Sequence, residues 1–340
     1  MRVARLYRLD DVRVEDAPVP EIGPGEALVR TRACGICTGD IMAWYIERKA
    51  PLVFGHEPAG EVVAVGEGVE ALSPGDRVFV HHHAPCGECS KCRRGLYVHC
   101  PTWRSTALRP GGMAEYFAVP ADNLARDTLR LPDGVDFEAA SLVEPTACVV
   151  KSLRRGAVAA GETVAVIGLG VMGQLHVVLA RHAGARVVAF DRVPFRLERA
   201  LRLGAEAAID VDANDPAASL SERTGGDMAD VVIVGPGSIE AMELGIRLAG
   251  SGGRVVLFTT SQPDETLAVS PFRLYFDEVS LVPSYSCGPD DTREALELIA
   301  AGIVRPQDVV THRFPLERVA EAVAQAQRPD EALKTIVVFD

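Results

Sequence analysis

The sequence predicts an α/β protein in which a β-rich part is followed by a doubly wound parallel sheet. Three observations carry this. Short β-type runs broken by Gly and Pro extend to about Pro120, strands and helices alternate after about Ala147, and a glycine-rich turn joins a buried strand to a helix. At 340 residues the chain is two domains long, taking roughly 150 residues per domain, and its 48% hydrophobic content supplies two cores and excludes a disordered chain.

In order, Ala27–Thr31, Gly60–Val65, Arg77–Val80 and Ala114–Val119 read as strands, with Gly23-Pro24-Gly25 and Ser73-Pro74-Gly75-Asp76 as turns. Thr163–Ile167 is nearly all apolar, as a parallel strand buried on both faces requires. The helix after it places Val171, Leu175, Val178 and Leu179 on one face and ends near Gly184. Strand Arg186–Phe190, a helix from about Pro194 to Leu203 stopped by Gly204, strand Asp230–Val234, helix Ser238–Leu248 and strand Arg254–Phe258 continue the series. A helix Thr292–Ala300 and a strand Thr335–Phe339 follow, and periodicity leaves open which domain owns them.

Composition excludes several roles. The net charge of −12 repels a phosphate backbone, and no basic stretch interleaved with aromatics is present, so no nucleic-acid partner is expected. No apolar run reaches the about 18 residues of a membrane span, and residues 1–20 lack an apolar signal core, so a soluble, cytoplasmic protein is expected.

Gly168-Leu169-Gly170-Val171-Met172-Gly173 stands at a strand-to-helix junction, where glycines permit a tight turn, close approach of a pyrophosphate, and close helix packing. Asp191, 18 residues after Gly173, ends the next strand, where a carboxylate can bind ribose hydroxyls and repel a 2′-phosphate. NAD is therefore expected over NADP, with Arg192 and Arg196 pulling the other way. Cys86, Cys89, Cys92 and Cys100 have the spacing C-x2-C-x2-C-x7-C, which can close a structural zinc tetrahedron; an iron–sulfur cluster or two disulfides are the alternatives. Cys37, His56, Glu57 and Glu144 are more dispersed. They can hold a zinc with a labile position, but a core histidine and an acid at a helix N-terminus are equally compatible with spacing alone.

These segments resemble the zinc-dependent medium-chain dehydrogenase/reductase (alcohol dehydrogenase) family. The resemblance rests on Gly55-His56-Glu57-Pro58-Ala59-Gly60 followed by Gly66 and Val69, the four-cysteine lobe, Gly35-Ile36-Cys37, Pro74-Gly75-Asp76-Arg77-Val78, Gly111-Gly112-Met113-Ala114-Glu115-Tyr116 and the nucleotide fingerprint, in order from about residue 24 to 340. Glu144-Pro145, where alcohol dehydrogenases carry another cysteine, and Thr311–Leu316 are similar to the sorbitol/polyol and L-threonine dehydrogenase branch.

The resemblance implies a GroES-like catalytic domain (1–146 and 285–340), a Rossmann NAD-binding domain (147–284) inserted in it, and active sites in the cleft. It implies two zinc ions per chain: a catalytic one on Cys37 and His56, with Glu57 and Glu144 sharing the remaining contacts, and a structural one. It further implies cofactor contacts at Gly168, Gly170, Met172, Gly173, Asp191 and Arg196, a substrate contact at Tyr285, and a homo-oligomer, dimer or tetramer. The expected reaction oxidises a secondary alcohol of polyol, cyclitol or sugar-alcohol type to a ketone with NAD. An NADP-dependent aldehyde or ketone reductase and a non-catalytic NAD-binding regulator are the alternatives.

Three departures from the family pattern stand out. Cys37-Thr38-Gly39-Asp40 lacks the Ser or Thr usual two places after the cysteine, which moves the expected proton-relay hydroxyl to Thr38, the cofactor ribose or water. Met42 stands where the polyol branch often has a histidine, and Ser284 where it has an arginine. His81-His82-His83 reads as lobe packing with some exposure, because alternating strand side chains cannot converge on one ion. Cys34 reads as a small buried residue, Cys148 and Cys287 as core or near-core thiols, and Glu47-Arg48-Lys49 as a solvated face.

Overall fold

A computed structural model describes all 340 residues. The chain divides into two compact units, Met1–Ala147 with Cys287–Asp340, and Cys148–Ser286. No helix is long and apolar enough to cross a membrane.

The first unit is built on the strand Ala27–Gly35. Its side chains alternate, with Ala27, Val29, Thr31 and Ala33 turned inward. It pairs antiparallel with Glu57–Val65 on one side and with Tyr116–Val119 and Lys334–Val338 on the other. Arg77–Val80, Thr128–Arg130 and Val310–Pro315 complete the seven-stranded sheet. The core of Val29, Val62, Val78, Val80, Phe117 and Val119 comes from the inward face of these strands. A smaller sheet pairs Arg2–Arg8 with Asp11–Asp16 and Leu52–Val53.

The C-terminal strand answers the question that periodicity left open. Ile336 lies opposite Gly35, and Val337 opposite Cys34, so the last strand completes the first sheet. Two expected strands also change extent: Glu57, not Gly60, starts its strand, and Ala114 makes only an isolated bridge to Val3 before Tyr116–Val119.

The second unit is a parallel six-stranded sheet. Its strands are β1 (Thr163–Ile167), β2 (Arg186–Asp191), β3 (Ala207–Asp210), β4 (Ala229–Val234), β5 (Ala249–Leu257) and β6 (Ser280–Pro283), in the order β3-β2-β1-β4-β5-β6. Every residue of β1 is buried, as the apolar run requires. The order reverses between β1 and β4, which creates the crevice at the strand C-termini where dinucleotides bind. The helix α1 (Val171–His182) leaves from the end of β1, and α2 (Pro194–Arg202) from the end of β2. The expected elements are present, with β5 starting five residues earlier than Arg254.

Candidate metal and cofactor sites

Cys86, Cys89, Cys92 and Cys100 converge in a loop closed by two short 3₁₀ turns and packed on Trp103. Their sulfurs lie 3.5 Å (Cys89–Cys92), 3.6 Å (Cys86–Cys100) and 3.9 Å (Cys86–Cys92) apart. A tetrahedral ion with Zn–S bonds of about 2.3 Å sets its sulfurs about 3.8 Å apart. No S–S bond joins the four cysteines, and their spacing fits a single ion. Backbone N–H groups of Cys86 and Cys89 point at sulfurs 3.4 Å away. At Cys100, burial raises the thiol, but hydrogen bonds from the Cys86 and Trp103 backbones outweigh it and bring it down to about 6. That favours the thiolate a metal needs.

Cys37, His56 and Glu57 form a second group, with ligand atoms within 4.8 Å of one another. Cys37 caps the 3₁₀ turn Thr38–Ile41, and its Sγ accepts from Gly39 N at 3.4 Å. Asp40 closes the same cap: its Oδ2 accepts the Cys37 N–H at 3.1 Å. Its Oδ1 lies 3.3 Å from His56 Nδ1, which leaves Nε2 for a metal. Burial opposes charge on His56, yet Asp40 and Cys37 outweigh it and hold the imidazole well above its usual range. Asp40 was quoted in the sequence only as part of a pattern. Its role as the orienting carboxylate emerges from the fold.

Glu57 is wholly buried and paired with Lys334, whose Nζ also donates to Ile36 O at 3.1 Å. Burial raises the Glu57 carboxyl, and Lys334 opposes that rise. A side chain at Gly35 would overlap both Glu57 Oε2 and the Lys334 stem, so this pair accounts for the glycine of Gly35-Ile36-Cys37. Sequence reading missed Lys334 altogether, because nothing local marks it.

Glu144 lies near enough to Glu57 and Lys334 to act on the charge of both. Buried at the start of the helix Val143–Arg155, its carboxylate groups with His81 and Cys287 rather than with Cys37 and His56. His81 Nδ1 is 2.8 Å from Asp127, and Cys287 Sγ is 3.6 Å from His81 Nε2. His81 has no exposure because it serves a buried carboxylate, while His82 and His83 are half-buried and His83 packs on Trp103 of the cysteine lobe. Cys34 and Cys287 are fully buried, and Cys148 is half-buried. Thr38 is exposed and Gly39 half-buried; a Cβ at Gly39 would lie 3.8 Å from Cys37 Sγ, in ordinary contact.

In the second unit, Gly168 has φ 82° and its turn passes Pro236, where a side chain would come within 2.6 Å. A Cβ at Gly173 would overlap the Gly168 carbonyl. Gly170 is different: a Cβ there would meet only Arg196 Nη1, at 3.9 Å, so its glycine keeps open space beside the backbone. Gly170 caps α1 without a side chain, leaving the first N–H groups of the helix for an anion. These features fit a pyrophosphate.

Asp191 Oδ2 accepts from Leu169 N at 2.5 Å, and Oδ1 from Arg192 N at 2.7 Å and Val193 N at 2.9 Å. The acid thus also ties the glycine turn to the loop after β2. Arg196 Nη1 is 3.8 Å from its Oδ2, and Met172 O faces His176 Nδ1 at 2.8 Å. Tyr285 is exposed, and its carbonyl accepts from Lys151 Nζ at 2.7 Å.

Residues 23–133 match the family model of the alcohol dehydrogenase GroES-like domain, and residues 171–301 that of the zinc-binding dehydrogenase. Sorbitol dehydrogenase of Mus musculus is 32% identical, covering 97% of this chain and 93% of its own length. L-threonine 3-dehydrogenase of Bacillus subtilis (strain 168) is 32% identical over 95% of this chain and 94% of its own. A Sinorhizobium meliloti 1021 protein, described as a zinc-binding dehydrogenase and solved with NADP, superposes with TM-score 0.90 at 30% identity, covering 99% of this chain and 98% of that one. With a metal-ligand trio, a four-thiol lobe, a nucleotide turn and relatives matched along nearly their whole length, the chain belongs to the zinc-dependent medium-chain dehydrogenase/reductase (alcohol dehydrogenase) family.

Proposed function

We propose that the protein oxidises a secondary alcohol of polyol, cyclitol or sugar-alcohol type to a ketone, with NAD as acceptor and two zinc ions per chain. The observation that carries this reading is the Cys37–His56–Glu57 trio with Asp40 behind its histidine. When bound, zinc would supply Lewis acidity toward an alcohol oxygen, and the nicotinamide the hydride acceptor.

The chain's own residues do the rest. Cys37 and His56 hold the catalytic metal, and Asp40 fixes the imidazole plane and tautomer. Lys334 keeps Glu57 beside the two ligands as a carboxylate available to the site. Glu144, grouped with His81 and Cys287, is kept as the alternate carboxylate that a rotation would bring in. Cys86, Cys89, Cys92 and Cys100 hold the structural ion. Gly39 cannot relay the alcohol proton, which leaves Thr38, a ribose hydroxyl or water to carry it out.

In the second unit, Gly168, Gly170 and Gly173 with the α1 N-terminus receive the pyrophosphate, Met172 lies beside the nicotinamide half, and Asp191 binds the ribose. Tyr285, exposed, is the proposed substrate contact. Arg196 beside Asp191 favours the second reading, an NADP-dependent reductase, since it can meet a 2′-phosphate. Four cysteines crowded within fifteen positions as metal ligands, rather than as disulfides, suit a cytoplasmic chain. Exposed Phe272, Tyr275 and Phe276 support a homo-oligomer.

The test is reduction of NAD or NADP, followed by absorbance, on a panel of polyols, cyclitols, sugar alcohols and hydroxy amino acids. The expected result is turnover of a polyol-type alcohol with NAD well above NADP. Asp191→Asn should narrow that preference, and because it also sets an amide against the Leu169 N–H it should loosen the turn. Equal rates with both cofactors in the parent protein would overturn the NAD assignment.

A further inference from the structure

His81, Glu144 and Cys287 make up a third set of ligand-type side chains, separate from the trio and from the four-cysteine lobe. All three are buried, and their ligand atoms lie within 4.8 Å of one another. Three segments supply them. His81 follows the strand Arg77–Val80, Glu144 stands in the first turn of the helix Val143–Arg155, and Cys287 is the residue at which the chain returns to the first unit. His81 and Cys287 are 206 positions apart, so no local spacing could have displayed the set.

The His81 ring is held as a ligand would be. Asp127 Oδ2 lies 2.8 Å from Nδ1; with the proton on that nitrogen, Nε2 presents its lone pair toward Cys287 Sγ, 3.6 Å away. Asp127 accepts in turn from Thr292 Oγ1, and the His81 carbonyl accepts from Asn123 Nδ2 at 2.9 Å. A carboxylate behind the imidazole repeats what Asp40 does behind His56. Zn–S bonds of about 2.3 Å and Zn–N bonds of about 2.0–2.1 Å, at the tetrahedral angle, set sulfur and nitrogen about 3.6 Å apart. Cys287 and His81 already stand at that separation. The Glu144 carboxylate, within 4.8 Å of both, completes the set by moving at most about 1.5 Å.

We propose that His81, Glu144 and Cys287 form a third zinc site, in addition to the catalytic and structural ions described above. One thiolate, one imidazole and one carboxylate are donors that zinc takes, and binding releases the thiol proton. The place of the ligands in the chain gives the ion a structural role. The chain leaves the first unit after Ala147 and re-enters it at Cys287, so an ion on Glu144 and Cys287 closes the loop that carries the whole second unit. With this site filled, Glu144 is engaged and Glu57 is the carboxylate of the trio.

The test counts metal in the full chain after loading with excess zinc and dialysis into metal-free buffer. The parent should hold three zinc ions per chain and Cys287→Ser two, because serine keeps the size of the side chain and removes the thiolate. Adding Cys37→Ser to that variant should leave one ion, on the four-cysteine lobe. Cadmium NMR of the metal-exchanged parent gives a readout that needs no variant: one resonance from a four-thiolate set and two from one-thiolate sets are expected. A parent that holds two ions and gives a single one-thiolate resonance would overturn the proposal, and so would a third ion that survives Cys287→Ser; a thiol–imidazole hydrogen bond would then stand in place of the site. Neither result touches the dehydrogenase reading, which rests on Cys37 and His56.

Discussion

Replacing Lys334 by Met keeps a stem of similar length and removes only the ammonium group. In the structure that group has two partners, the Glu57 carboxylate and the Ile36 carbonyl, and both members of the pair are at most 1% exposed. The variant leaves the buried Glu57 carboxylate without its ammonium partner. Breaking one side of a buried pair costs about 3–5 kcal/mol. Glu57→Gln strands the ammonium instead and should cost a similar amount, whereas the double variant buries neither charge. The double variant should therefore be more stable than the sum of the singles by about 2 kcal/mol or more. Both tryptophans, Trp44 and Trp103, belong to the first unit, so urea unfolding of the zinc-loaded protein followed by tryptophan fluorescence reports that unit alone. If Lys334→Met stayed within about 0.5 kcal/mol of the parent, or if the two costs simply added, the pair would not be the buried interaction described.

The two metal groups should separate. Cys37→Ser should abolish turnover and remove one zinc with stability little changed, whereas Cys89→Ser should remove the other zinc and lower the unfolding midpoint; metal analysis with urea titration reads both, and a stable, inactive Cys89→Ser protein would reverse the assignments. Because space beside Cys37 accommodates a Cβ at position 39, Gly39→Ser should fold normally and raise turnover on small polyols if the missing hydroxyl limits them. Thr38→Val should cut turnover roughly 10²-fold if Thr38 carries the proton, and unchanged kcat would assign that step to ribose or water. Burial depresses His176, held between the Met172 carbonyl and Ser152 Oγ, to about 4 from 6.5. The unfolded chain then binds a proton that the native state refuses, so stability is full above about pH 6.5 and falls by up to about 3 kcal/mol as pH drops toward 4. Calorimetry of His176→Gln should show a flatter acid limb, and an unchanged limb would remove His176 from the account.

Features written in short stretches were legible directly. The four cysteines lie within fifteen positions, so loop geometry alone brings their sulfurs together. The glycine turn needs only a strand before it and a helix after it, and Asp191 needs only the next strand. Pairing across the sheet was beyond such reading. Lys334 reaches Glu57 because the last strand lies antiparallel to Ala27–Gly35 with Ile336 opposite Gly35, a contact made across 298 residues between Lys334 and Ile36. Asp40 meets His56 because a 3₁₀ turn projects it across to the start of another strand. Glu144 was assigned from its place in a pattern, yet the side chains grouped with its carboxylate, His81 and Cys287, come from a strand end and from the returning C-terminal segment. Local order follows from residue spacing and backbone stereochemistry, which sequence displays. Partnership of buried charges follows from register and burial, which exist only once the strands have paired.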